Sequence, residues 1–185
     1  MDLYYHMPER PKGRSVHVSV SVSTFVPKPM TPFQWEPQDT IAEIDRKQRH
    51  LISCIGSRKI QLSYHEADRS FLEAALARGD RRLADVLEEA FRLGCRLDSW
   101  NETFSFEKWM QAFRNVGIDP AFYASRRRGE MEIFPWDHLD YGVSRGFLWR
   151  ENQKARRGEV SPNCRQCCNG CGANRLEGGC PLCAR

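Results

Sequence analysis

No stretch of the 185 residues comes near the ~20 consecutive apolar residues that span a bilayer. Nothing at the N-terminus resembles a secretory signal peptide. The expectation is a soluble, cytoplasmic protein without a membrane partner, whose thiols stay reduced. Glycine-rich nucleotide loops, a nucleophile elbow and an HExxH helix are also missing, so no short motif names a reaction. Excess charge is absent from most of the chain: residues 1–149 carry 21 Lys and Arg against 21 Asp and Glu. Residues 150–185 carry 7 against 3, so the whole net charge of +4 sits at the C-terminal end.

What the chain does have is cysteine in one place. Six of its eight cysteines fall in the last 22 residues, CRQCCNGCGANRLEGGCPLCAR. Cys164, Cys168 and Cys171 have the spacing Cys-x-x-x-Cys-x-x-Cys used by radical S-adenosylmethionine (SAM) enzymes to bind their cluster. Alternatively, Cys168 and Cys171 form one knuckle and Cys180 and Cys183 a second, and two such turns supply four soft ligands for tetrahedral zinc or iron. The second grouping has the better geometry, with a Gly after the first pair and a Pro inside the second. Disulfides and loose thiols are the other fates of these sulfurs. The basic flank would suit nucleic acid. A simpler account is that Arg and Lys offset a four-thiolate zinc site of formal charge −2, and the tail lacks the aromatics that stack on single strands.

With 41% hydrophobic and 11% aromatic residues the chain can build one core, alone or within a larger domain. Val16, Val18, Val20 and Val22 alternate with Ser or His17, the plainest strand in the chain. His17 is read as a hydrogen-bonded filler rather than a ligand. Pro27, Pro29, Pro32 and Pro37 then enforce a rigid extended loop, which offers Lys28, Thr31, Gln34 and Trp35 to a ligand or serves as a fixed crossover. Thr40 and Glu43 open a helix as a capping box, and KIQLSYH follows as a short strand. Phe71, Leu72, Ala75 and Leu76 mark a helix, and Leu83, Val86, Leu87, Ala90 and Phe91 mark another, both stripes read as core. Further helices are expected over 106–116, with Phe106, Trp109, Met110 and Phe113 on one side, and over about 144–156. Cys54 and Cys95 lie in apolar helical segments and read as buried, inert thiols.

Asp137, His138 and Asp140 are the only compact carboxylate and imidazole group outside the tail. They could orient a base or bind a metal, but three polar residues in a loop more often cap helices and hold a turn. Asp98, Trp100 and Glu102 are read in the same way.

VSVSVSTFVPKPMTPFQWEPQD, SFLEAALARGDRRLADVLEEAFRLGCRLDSW, FEKWMQAF, GIDPAFYASR and PWDHLDYGVSRGFLWRE, in that order, resemble the C-terminal part of a family of radical SAM proteins. The resemblance covers about residues 15–164. It implies an α/β fragment, mostly helical: residues 1–38 as the end of a partial α/β barrel, 39–158 as a helical extension and 159–185 as a cysteine-rich metal knuckle. It also implies a [4Fe–4S] cluster and SAM in the intact parent, zinc or an auxiliary iron–sulfur site in the tail, and a role for cobalamin, since members commonly carry a cobalamin-binding-like domain ahead of the barrel. Thr24, Phe25, Val26, Lys28 and Thr31 would then lie near SAM or substrate. The family's cluster motif sits at the start of the barrel, a region this sequence lacks. The expectation is a fragment or truncated reading frame, inactive alone, whose partner is the missing N-terminal barrel half. The different reading is an independent zinc-ribbon module that binds RNA or a protein.

Overall fold

The computed structural model describes residues 6–8 and 15–175. Strand β1 (Val18–Val22) is the Val/Ser alternation, and it pairs in parallel with β2 (Ile60–Tyr64), Val18 opposite Ile60 and Val22 opposite Tyr64. Parallel neighbours need a crossover, supplied here by the proline loop and helix α1 (Ile41–Ser53). Thr40 caps α1, its Oγ1 accepting the Glu43 amide at 3.3 Å. The Glu43 carboxylate turns to Arg46, at 2.7 and 2.8 Å, instead of back to the Thr40 amide.

Helices α2 (Ala67–Ala77), α3 (Leu83–Arg92), α4 (Phe106–Val116), α5 (Pro120–Ala124) and α6 (Arg145–Arg156) follow. Ser105 Oγ starts α4 by accepting the Lys108 amide, and Gly117 ends it at φ 76°, with Ile118 N donating to Phe113 O at 3.0 Å. The short α5 is an addition to the sequence reading. Asp119 caps it and Pro120 sits at its first turn, where a missing N–H costs nothing.

Two apolar clusters result. The larger joins α2 to α5 through Phe71, Leu72, Val86, Trp109, Phe113 and Tyr123. It needs Gly79 at the α2–α3 turn, because a Cβ there would lie 2.0 Å from Leu83 Cδ1. The smaller is Trp35, Phe134, Trp136 and Leu148.

Three readings are corrected by burial. Trp35 is fully buried and Gln34 is 2% exposed, so the proline loop is wound by tight turns into the core and does not offer these two side chains to a ligand. Leu87 and Phe91, on the stripe of α3, are 49% and 56% exposed, because α4 covers only the Val86 and Ala90 side of that helix. Cys54 is exposed, with Sγ 3.8 Å from His50 Nε2; Cys95 is buried as expected, and burial pushes its thiol pKa up. Among the described residues, no helix is long and apolar enough to cross a membrane.

Two outcomes check this packing. Trp35→Ala should cost about 3–5 kcal/mol in urea denaturation, whereas Leu87→Ala should stay within ~0.5 kcal/mol. The Arg82 side chain, against the opposing pull of burial, and bonds from the Arg82 amide and Tyr123 hold Asp80 at about 2, below its ordinary 3.8. A depressed carboxyl stabilises the fold fully above its unfolded pKa and loses that contribution as pH falls through the folded one. The urea midpoint should therefore drop between pH 3.8 and about 2, and Asp80→Asn should flatten that limb.

Candidate metal centre

The described part of the cysteine tail is a pair of turns followed by a single 3-10 turn over Ala173–Arg175. Asn163 organises the first, accepting the Arg165 amide on Oδ1 at 2.8 Å and the Gln166 amide on its carbonyl at 2.8 Å. Asn169 Nδ2 then donates to Pro162 O at 2.8 Å and lies 3.8 Å from Cys164 Sγ. The second turn carries Cys168 and Cys171. Gly170 N donates to Cys168 Sγ at 3.3 Å, and Ala173 N donates to Cys171 Sγ at 3.4 Å. The pattern repeats itself, each sulfur receiving the amide two residues on. Gly170 and Gly172 make it possible by adopting φ of 66° and 100°. Each sulfur is thereby fixed in place by a backbone amide.

The turn is also docked. Ser144 caps α6 with its Oγ, and its amide donates to Cys171 O at 2.7 Å. Arg150 Nη2 donates to Gly170 O at 3.3 Å, which ties the turn to α6. A Cβ on Gly172 would meet Gly142 O at 3.2 Å and Ser144 N at 3.3 Å. Nothing in cysteine spacing points to Ser144 or Gly142. Arg150 alone was foreshadowed, as part of the basic flank.

Cys180 and Cys183, the other half of the expected ligand set, lie outside the described residues. Among the described residues, no group of three or more His, Cys, Asp or Glu is placed to hold a metal. Cys164, Cys167 and Cys171 are free thiols, whereas Cys168 is disulfide-bonded. A disulfide and a thiolate ligand exclude each other at one sulfur, so the oxidised and metal-bound readings part at Cys168.

The loop residues expected near SAM are spread over different tasks. Lys28 forms an ion pair with Glu73, and Thr31 Oγ1 donates to Lys28 O at 2.8 Å. Val26 packs on the larger core, Thr24 is half-buried, and Phe25 is 51% exposed, edge-on to Phe33 at 5.6 Å. Asp137 accepts the Phe134 amide at 2.8 Å and pairs with Arg145, and Asp140 accepts the Gly142 amide at 2.9 Å. Both carboxylates hold turns, while His138 faces a hollow of about 370 Å³ between Gln34 and Tyr141. Asp98 and Trp100 likewise sit in a turn, their carbonyls accepting Arg69 Nη1 and the Phe104 amide.

No family model matches the chain, and no curated protein or solved structure matches it either. The functional reading therefore rests on the geometry above.

Metal ligation has a direct check. Chain purified anaerobically with reductant should carry one zinc by elemental analysis with no visible absorption. Cys168→Ser or Cys171→Ser should each lose that metal, since so short a segment has no apolar core to order it otherwise. A visible iron–sulfur charge-transfer band would assign an auxiliary cluster instead. Retention of full metal by both variants would remove the knuckle as the site.

Proposed function

We propose that the chain is the C-terminal portion of a radical SAM protein, contributing an edge of the α/β sheet, a helical extension and a metal knuckle. The single observation that carries this reading is the sheet. A parallel sheet is normally covered on both faces and extended by further strands. This one has two strands among the described residues, and Val18 and Val20 on β1 are 36% and 37% exposed. Both outer edges carry backbone groups that ask for another strand, and β1 joined to β2 through α1 is the unit from which parallel α/β sheets are extended.

In the intact parent, the family's [4Fe–4S] cluster would supply reductive cleavage of SAM. The described residues do not fit such a cluster, because they offer no set of three ligands, so no step of that reaction is assigned to this chain. Its part would be to complete the sheet and to hold the helical extension against it. The substrate and any use of cobalamin belong to the parent.

A second reading, an independent module that binds RNA or a protein, draws on the larger apolar cluster. That core is built mainly from α2 to α5, with Val26 and Ile41 packed against it and no residue of β1 or β2 among its members, so the helical part has the means to fold without the sheet.

Hydrogen exchange with analytical ultracentrifugation separates the two. In the first reading the purified chain self-associates through its open sheet, the amides of residues 18–22 and 60–64 exchange far faster than those of α2 and α4, and Val20→Lys suppresses the association. A monodisperse monomer with both strands as protected as the helices would overturn it in favour of the module.

A further inference from the structure

The end of α2, the start of α3, α5 and the loop after it line a hollow of about 560 Å³. Five arginines line it, Arg78, Arg81, Arg82, Arg126 and Arg128, against two carboxylates, Asp80 and Glu132. Both carboxylates are already engaged. Arg82 Nη2 and Nε reach Asp80 at 2.6 and 3.0 Å. Arg126 grips Glu132 with two bonds of 2.6 and 2.9 Å. Among the described residues Arg78 and Arg81 have no ion-pair partner, and Arg128 has only a long one, Nε to Glu132 Oε1 at 4.0 Å.

Two of these three are buried. Arg78 is 0% and Arg128 5% exposed, and together they form the floor of the hollow. Their bonds go to neutral carbonyls: Arg78 donates to Ala124 O at 3.0 Å and Gln34 O at 3.3 Å, and Arg128 to Arg78 O at 3.0 Å. Arg78 Nε and Arg128 Nε and Nη1 donate to nothing among the described residues. Burial first, then the charge of neighbouring arginines, pushes Arg78 down to about 9. Burying two guanidinium groups whose nearest carboxylate, Glu132, stands 4.0 Å from Arg128 Nε is an unfavourable arrangement. Buried donors left unpaired beside a hollow call for an explanation, and a bound anion is one.

We infer that this hollow binds a phosphate monoester of a small molecule. Its volume falls in the range of small-molecule sites. The planar guanidinium fork matches an oxyanion, and an excess of three positive charges favours a dianion over a single carboxylate. The apolar rim, Phe122 at 44% and Ile133 at 86% exposure, is placed to cover the organic part of such an ester. The site is independent of the metal knuckle and of the sheet, and it does not rest on the radical SAM reading.

Isothermal titration of the full chain with inorganic phosphate and with phenyl phosphate, in sodium chloride of matched ionic strength, tests the inference. Both should bind saturably at one site, phenyl phosphate more tightly. Arg81→Ala, an exposed rim change, should weaken phosphate roughly threefold to fivefold while leaving the melting temperature unchanged. Arg128→Met should abolish binding; if that variant fails to fold, Arg81→Ala decides alone. Heats equal to the chloride control, or a phosphate affinity unchanged in the folded variants, overturn the inference.

Discussion

The fold depends on one segment that has no regular structure of its own, the proline loop from Pro27 to Gln38. Its side chains and carbonyls reach nearly every other part of the molecule. Gln34 Oε1 accepts Trp136 Nε1 at 2.7 Å, and Gln38 Nε2 donates to Ser70 O at 2.9 Å in α2. The Trp35 ring packs edge-on to Trp149 of α6 at 5.0 Å, and its carbonyl accepts the Arg128 amide at 3.0 Å. Glu36 takes Asn152 and Arg156 of α6 at 2.8 to 2.9 Å, together with Arg127 at 3.0 Å. Burial alone would raise the Glu36 carboxyl; the bonds from Asn152 and Arg156 and the nearby arginine charges outweigh it and hold it below the usual range. The loop also tolerates Met30 at φ 58°, a conformation costing about 1 kcal/mol or more. It persists because its own amide is tied to Gln34 Oε1 at 3.1 Å. Prolines explain why such a segment is affordable: their fixed φ leaves less freedom to lose on folding.

Much of the architecture was legible because it rests on local chemistry. Thr40, Ser105 and Ser144 start helices where hydroxyls are expected to, and Gly117 stops one where only a left-handed residue serves. The Val/Ser alternation and KIQLSYH became strands, although their parallel pairing is a long-range fact that periodicity does not contain. The misses share one cause. Trp35 in a proline loop looks like a ligand group, and only the positions of Phe134 and Trp149, about a hundred residues on, turn it into core. Phe91 looks like core, and only the angle at which α4 meets α3 leaves it exposed, with Arg96 lying 4.2 Å over its ring. Of the site, the knuckle turn was readable from Cys-x-x-Cys-Gly, whereas its docking on Ser144 was not. The arginine hollow had no signal at all, because Arg78 and the Arg126–Arg128 run look like solvated charge until the chain brings them together.

These features also fix how the cysteine turn communicates with the rest of the molecule. Its bond to Ser144 falls on the residue that caps α6, and the next residue, Arg145, pairs with Asp137 and lies 4.7 Å over the Phe134 ring. Cys171 is thereby linked to the N-terminus of α6 and, through it, to the aromatic cluster that Trp35 anchors. The sheet, by contrast, touches that cluster only through the proline loop. A ligand on Cys171 would stabilise the folded state by its own binding free energy, and Ser144 is the contact through which the second core would share it. The first core is built mainly by α2 to α5, with Val26 and Ile41 packed against it. Two apolar clusters of unequal independence, joined by one loop, are what the sequence builds. The smaller one is the part that the cysteine turn touches, through the amide of Ser144.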